Sequence, residues 1–185
     1  MSPPDFTYTS QPMRVVFGAG SIRRVADEVE LLGAKKAIVL STPDQRQSAQ
    51  QVAELLGSAA VGIFDRAVMH VPMETVSAAR DFAGRLEAEC AVAIGGGSTI
   101  GLAKALALSS SLKIVAIPTT YAGSEMTPIY GLTQDRVKKT GSDVRVLPRT
   151  VLYDPELTFT LPLELSIASG MNAIAHSVEG LYSRD

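Results

Sequence analysis

The chain has 185 residues and a formal net charge of −2, from 17 Lys and Arg against 19 Asp and Glu. This balance provides no basic field for a nucleic-acid backbone or an anionic membrane surface, so we expect neither as a partner. No window approaches the roughly 18 uninterrupted apolar residues of a membrane-spanning helix, so the hydrophobic content of 46% indicates a buried core.

Near the N-terminus the chain partly imitates the glycine fingerprint of dinucleotide-binding folds. The apolar run 15–17 precedes the sequence GAGSIR at 18–23, but Arg23 occupies the position of the third glycine. No acidic residue ends the next predicted strand, where LST at 40–42 replaces the ribose-binding Asp or Glu. We therefore predict a turn before the first helix here, and not a phosphate site.

Further along, short apolar runs alternate with longer segments of helical period, which is the pattern of βαβ units in a parallel sheet. The predicted strands are 37–40, 60–64, 91–94 and 114–117. The segments between them repeat apolar residues every three or four positions, so we predict crossover helices at 44–56, 73–86 and 99–108. The sequence thus predicts an α/β fold with a parallel sheet.

The strongest local signal is a glycine run between a predicted strand and a predicted helix. The strand at 91–94 continues directly into Gly95, Gly96, Gly97 and Ser98. Bare amides at a helix N-terminus can approach a diphosphate, donate hydrogen bonds to it and offer the positive end of the helix dipole. Three successive glycines exceed what a tight turn requires, so we interpret the run as a phosphate site.

Beyond Pro118, glycines and prolines divide the chain into pieces too short for crossover helices. We predict a long loop and then a hairpin, with strands at 129–133 and 145–153 and the charged stretch 134–139 near its turn. The segment 117–133 carries four Thr, one Ser and two Tyr around glycines. Ligands of open α/β sheets lie beyond the carboxyl ends of the strands, so we expect this segment and the glycine run to line one site.

After residue 160 the sequence takes a helical period in which six apolar residues share one face: Ile167, Met171, Ile174, Ala175, Val178 and Leu181. We expect residues 1–160 to form an α/β dinucleotide-binding domain and residues 161–185 to begin an all-α domain. The chain stops without a helix cap and leaves this apolar face without a partner, so we expect a truncated protein.

Asn172 and His176 lie four residues apart on this predicted helix, so their side chains should point to one side. A neutral amide is a poor ligand for iron or zinc, and two residues do not make a site, so we expect no closed metal centre. His176 is then either polar lining of an active site or a hydrogen-bonded core histidine.

The other candidate groups have simpler interpretations. We expect His70 to make local hydrogen bonds, and Cys90 to be a small core residue before a strand. A single cysteine and an N-terminus without a signal-like apolar core favour the cytoplasm. Four cations are interpreted as solvated charges, although a dicarboxylate substrate would need one or two of them: Lys138, Lys139, Arg145 and Arg149.

Four segments, in this order and spacing, resemble the iron-containing alcohol dehydrogenase superfamily: GGGSTIGLAK, IPTTYAGSEMTPIYGLT, YDPELT and SGMNAIAHSVEGLYS. The resemblance covers nearly the whole chain and implies a dehydroquinate synthase-like nucleotide-binding domain followed by an all-α domain. Metal-dependent members have an acidic residue in place of Gly101 and an Asp ligand in place of Asn172. With Tyr121, these departures are similar to the branch of maleylacetate reductases, which reduce maleylacetate to 3-oxoadipate with NADH or NADPH in bacterial breakdown of aromatic compounds.

The resemblance also implies a set of site residues, a cytoplasmic homodimer and no catalytic metal. It assigns the cofactor pyrophosphate to Gly96, Gly97 and Ser98, with further cofactor contacts from Thr119, Thr120, Thr127 and Lys138. Thr42 stands where NAD-restricted relatives place an Asp, so both NADH and NADPH should be accepted. Tyr121, Asn172 and His176 are the catalytic candidates, because an enolate needs hydrogen-bond donors.

Two other functions stay open at this point. A metal-dependent alcohol dehydrogenase of the same superfamily would bind iron or zinc, and a non-catalytic nucleotide-binding module would bind the cofactor without turnover. A carbon–oxygen lyase of the dehydroquinate synthase type shares the fold, but too few of its lysines and metal ligands are present.

Overall fold

The computed structural model describes Gln11 and residues 13–134 and 137–183. The strands in this part of the chain are β1 (Arg14–Phe17), β2 (Ala37–Leu40), β3 (Ala60–Phe64), β4 (Cys90–Gly95), β5 (Lys113–Pro118), β6 (Ile129–Gln134), β7 (Val137–Ser142) and β8 (Thr150–Tyr153). The α-helices are α1 (Val25–Leu31), α2 (Arg46–Leu56), α3 (Met73–Arg85), α4 (Gly97–Leu108) and α5 (Leu163–Glu179).

One sheet holds six of these strands in the order β1–β8–β5–β4–β2–β3, and each neighbouring pair is parallel. Both of its faces are buried: Ala91 and Ala93 of β4 belong to one apolar cluster, whereas Val92 and Ile94 belong to the other. Burial on both faces explains why the strands have continuous apolar sequences. The predicted α/β fold with a parallel sheet is therefore confirmed.

The three predicted crossover helices are present as α2, α3 and α4, with ends shifted by one or two residues. The start of α4 at Gly97 is earlier than predicted, because the glycine run itself enters the first helical turn. Every residue from 102 to 107 is buried, so α4 lacks the single apolar stripe of a surface helix. The sheet and the hairpin enclose it together.

The hairpin forms, but the prediction of its second strand is wrong. β6 pairs antiparallel with β7, whereas the predicted partner at 145–153 supplies β8, which lies in the parallel sheet between β1 and β5. Polarity explains the difference: TVLY of β8 is mostly buried, but VKKTGS of β7 is almost wholly exposed and suits an edge at the surface. β1 and β8 extend the sheet beyond the four predicted strands.

The structure confirms the turn predicted at 18–23, and a buried carboxylate stabilises it. Gly20 has a left-handed φ of 71°, and a short 3-10 helix, Ser21–Arg24, leads into α1. The 3% exposed Asp154 accepts hydrogen bonds from the amides of Gly20 at 3.0 Å and Ile22 at 3.2 Å. Because a side chain already occupies these amides, this glycine motif does not offer them to a phosphate.

A buried lysine attaches the segment after β5 to α4. Lys104 Nζ donates hydrogen bonds to the carbonyl oxygens of Ser124 at 2.6 Å, Ile129 at 2.7 Å and Thr127 at 2.8 Å. Thr127 Oγ1 lies 3.3 Å from the same ammonium. These charge-assisted bonds offset the cost of burying the ammonium, so α4 determines the position of residues 124–129.

α5 follows the α/β layer and has no buried residue. Apolar side chains that share one of its faces are at least half exposed, among them Ile167, Met171, Ile174 and Val178. The domain boundary after residue 160 stays a prediction. Among the described residues, no helix combines the length and the apolarity needed to cross a bilayer.

The substitution Asp154→Ala should lower the free energy of unfolding by about 3 kcal/mol, because three amide N–H groups lose their acceptor. These belong to Gly20, Ile22 and Glu156. Urea denaturation measures the loss. Asp81→Ala on the exposed surface of α3 is the control, and equal losses in both variants would contradict the role of Asp154.

The substitution Lys104→Met should lower the free energy of unfolding by about 2 kcal/mol, since a thioether donates no hydrogen bond to the three carbonyl oxygens. Amide hydrogen exchange should also become faster within residues 124–129, which lose their attachment to α4. Lys139→Met, at an exposed position of β7, provides the matched control. Unchanged exchange in the Lys104 variant would show that other contacts hold the segment.

Candidate active site

The glycine run connects the middle of the sheet to the N-terminus of α4. Gly95 ends β4 with a φ of 148°, Gly96 is the N-cap, and α4 begins at Gly97. The amides of Thr99 and Ile100 donate to the carbonyl of Gly96, at 3.1 and 3.2 Å. The positive end of the helix dipole therefore lies at the carboxyl edge of the sheet, where ligands of such sheets bind.

The three glycines have different surroundings. A Cβ at Gly95 would lie 2.5 Å from Gln45 Oε1 and 2.6 Å from Thr99 Oγ1, and one at Gly96 would lie 3.0 Å from Thr120 Cγ2. At Gly97, by contrast, no heavy atom lies within 4 Å of that position. The first two glycines thus permit close packing of the protein, and the third leaves open space beside the helix N-terminus.

Gln45 links two of the predicted cofactor residues across this edge. Its Nε2 donates to Thr119 Oγ1 at 2.8 Å, and the Thr42 hydroxyl donates to its Oε1 at 3.5 Å. Thr42 follows β2 and Thr119 follows β5, so Gln45 spans the strand between them. Gln45 was not among the predicted site residues, although it lies at the start of the predicted helix 44–56 that follows β2.

A cavity of about 1090 Å³ opens beside Gly97, with α4, the segment after β5, the β6–β7 hairpin and α5 around it. It brings together six of the predicted site residues: Gly97, Ser98, Tyr121, Thr127, Lys138 and His176. Gly96, Thr42 and Thr119 lie outside its lining. Asn172 is exposed on α5 and does not line the cavity, although His176 one turn later does.

The polar side chains around the cavity favour an anionic ligand. Among the described residues that line it there is no Asp or Glu, whereas Lys138 and both histidines of the chain are present. Lys104 also belongs to the wall, but backbone carbonyls already bind its ammonium. Burial lowers the pKa of Lys104 to about 8, and the charge of Glu125 opposes this shift. His176 Nδ1 lies 3.5 Å from Glu179 Oε2, one turn further along α5.

The predicted local role of His70 is not realised. Its imidazole lines the cavity and has no hydrogen-bond partner among the described residues. Cys90 is a core residue as predicted, although it belongs to β4 itself, and burial raises the pKa of its thiol to about 12. Arg145 is exposed, as predicted, and forms an ion pair with Asp143.

A smaller cavity of about 420 Å³ lies on the other side of Tyr121, lined by Thr120, Glu125 and Tyr153 among others. Glu125 is 2% exposed, and its Oε1 accepts a hydrogen bond from the Tyr153 hydroxyl at 2.8 Å. Burial and the neighbouring Glu125 raise the pKa of Tyr153. Neither residue of this pair was among the predicted site residues.

The donors present do not form a metal site. Within the part of the chain that the structure describes, no group of three or more His, Cys, Asp or Glu side chains is placed to hold an ion. Asn172 offers a neutral amide, and His176 is the histidine nearest to it in sequence.

The chain is similar to known proteins in sequence and in fold. A maleylacetate reductase of Sphingobium indicum is 61% identical over 180 residues, which are 97% of this chain and 51% of that protein. The crystal structure of maleylacetate reductase from Agrobacterium tumefaciens superposes with a TM-score of 0.96 at 48% identity, over 99% of this chain and 52% of that one.

A more distant structure, sulfoacetaldehyde reductase from Bifidobacterium kashiwanohense in complex with NAD⁺, is 25% identical with a TM-score of 0.92, over 98% of this chain and 55% of that one. The chain spans about half the length of the curated relatives it matches. The family model of iron-containing alcohol dehydrogenases matches residues 12–155. The chain therefore belongs to the iron-containing alcohol dehydrogenase family.

Proposed function

We propose that the protein containing this chain reduces maleylacetate to 3-oxoadipate with NADH or NADPH. The observation that carries the proposal is the helix N-terminus at Gly97, which opens onto a cavity whose described lining has cations and hydrogen-bond donors but no carboxylate. Its support from relatives is the high identity to proteins named maleylacetate reductase.

The residues at the N-terminus of α4 fit a dinucleotide diphosphate. The open space at Gly97 admits an anion next to the first amides of the helix, and Ser98 adds a hydroxyl to the same wall. Thr99 Oγ1 is buried beside the run without a hydrogen-bond partner among the described residues. We assign the diphosphate to Gly96, Gly97 and Ser98.

The remaining cofactor contacts are assigned to side chains around the same edge. Thr119, Thr120 and Thr127 follow β5, and Lys138 lines the cavity from β7. Thr127 also contacts Lys104, so its position depends on that lysine. Thr42 offers a neutral hydroxyl at the end of β2, which would repel neither the hydroxyl of NADH nor the additional phosphate of NADPH.

When bound, the reduced nicotinamide would supply a hydride to the carbon–carbon double bond that is conjugated with the substrate ketone, and protonation of the neighbouring carbon would complete the reduction. The protein then has to stabilise negative charge on the ketone oxygen and to bind two carboxylates. Tyr121 and His176 line the cavity and carry suitable donors, so we assign them this role. Asn172 remains a candidate on α5, although in this structure it is exposed outside the lining.

The reaction as proposed uses no catalytic metal. Gly101 and Asn172 provide no carboxylate at the two positions where metal-dependent members of the superfamily have one. The cavity wall offers hydrogen-bond donors instead. The homodimer and the cytoplasmic location implied by the resemblance stay predictions.

The full-length protein should oxidise NADH or NADPH when maleylacetate is added, and an excess of EDTA should leave the rate unchanged. The initial rate at which the absorbance of the reduced cofactor decreases measures this activity. Butanol and propanediol with NAD⁺ serve as control substrates for a metal-dependent alcohol dehydrogenase.

Cofactor binding without turnover of maleylacetate would support a non-catalytic module and refute the proposal. Loss of activity with EDTA, together with one bound iron or zinc per chain by elemental analysis, would refute the metal-free mechanism.

The substitution Gly97→Val should weaken NADH binding at least about tenfold, because its side chain would occupy the open space that we assign to the diphosphate. The fold should persist, since no heavy atom lies within 4 Å of the new Cβ. Quenching or enhancement of NADH fluorescence measures the affinity. Gly84→Val in α3, where the Cβ position is equally open, is the control.

A further inference from the structure

The connection between β3 and α3 has a strained backbone where it borders the large cavity. His70 and Val71 both adopt left-handed conformations, with φ of 67° and 47°. Such values are uncommon outside glycine, and they are costly for a β-branched residue such as Val71. Conformations of this kind persist where surrounding structure enforces them, and they are concentrated at functional sites.

Contacts on two sides enforce the backbone at Val71. Its side chain is buried in the core, and its Cγ2 lies only 2.8 Å from the position of a Cβ at Gly101 of α4. Its carbonyl accepts a hydrogen bond from Thr133 N of β6 at 3.2 Å. The absence of a side chain at Gly101 thus makes room for Val71, and α4 and β6 together hold this residue in place.

The consequence of this arrangement is the position of His70. His70 is exposed and lines the cavity, while Val71 is anchored in the core. Imidazole carries at least one N–H donor in either protonation state. Since the described lining contains no carboxylate and gives this imidazole no partner, its donor is available to an anionic ligand.

We propose that His70 binds a carboxylate of the substrate, and that the left-handed backbone at residues 70 and 71 holds its imidazole in the cavity. The identity of the substrate as a dicarboxylate rests on the proposed function. His176 and Lys138 reach the same cavity from α5 and β7. His70 adds a third donor from the connection before α3, which suits a ligand with two separated anionic groups.

The substitution His70→Gly separates a binding role from a structural one. Glycine adopts positive φ without strain, so the variant should unfold at the same temperature as the wild type or at a higher one. Its affinity for a dicarboxylate should nevertheless fall about ten- to hundredfold, the loss expected for a hydrogen bond to a charged group. The probe is adipate, a saturated six-carbon dicarboxylate, titrated into the full-length protein in a calorimeter.

Two further variants sharpen the comparison. His70→Asn keeps an N–H donor and tolerates the left-handed backbone, so it should retain more adipate affinity than glycine does. Glu87 is the remaining described non-glycine residue with a positive φ, at 51°, and it lies outside the cavity. Glu87→Gly relieves the backbone strain there and should leave adipate binding unchanged.

Equal adipate affinity in the wild type and the glycine variant would overturn the assignment, as would a wild type that binds no adipate. An equal loss of NADH affinity would also overturn it, because the anion bound by His70 would then be a cofactor phosphate. Oxidation of NADH by the wild type with maleylacetate tests the proposed function separately, so a failure of either claim is recognisable.

Discussion

The buried ammonium of Lys104 is the interaction on which the candidate site depends most. It lies on a helix that is enclosed by apolar groups, and three backbone carbonyls of residues 124–129 satisfy its charge. Together with the hydrogen bond from Tyr153 to the buried Glu125, this ion attaches the segment between β5 and β6 to the α/β layer and determines where Thr127 lies relative to the glycine run. The same helix provides the amides at Gly97, so α4 positions both walls of the site.

Close approach of backbone explains the glycines of this site better than flexibility does. Gly95 and Gly96 allow Gln45, Thr99 and Thr120 to pack against the turn, and Gly101 allows Val71 to pack against α4. Gly97 and Gly123, which line the cavity, have no heavy atom within 4 Å of a Cβ position. A side chain at Gly95, Gly96 or Gly101 would meet protein atoms, whereas the space at Gly97 is open to a ligand.

The two glycine motifs of the chain show why a motif needs its surroundings. The amides of Gly20 and Ile22 are bound by Asp154, a residue more than 130 positions later in the chain. The amides at the start of α4 have no such competitor among the described residues. A carboxylate at a turn and a phosphate at a helix N-terminus both accept hydrogen bonds from backbone amides. Since Asp154 already binds the amides of the first motif, only the motif at Gly95–Gly97 remains available to a ligand.

The sequence by itself determined the parallel sheet, its crossover helices and the glycine turn, because burial on both faces leaves continuous apolar runs and a helix N-terminus needs small residues beside an anion. It also indicated the family, through four ordered segments. The tertiary structure decided the place of β8. The apolar run at 150–153 could pair in a hairpin or in the sheet, and it pairs in the sheet because β1 and β5 lie on either side of it.

It likewise decided the roles of Lys104, Gln45 and His70. Their surroundings are assembled from distant segments: Gln45 contacts Thr119, 74 positions later, and His70 shares its cavity with His176. Nothing in the local sequence records which atoms they meet.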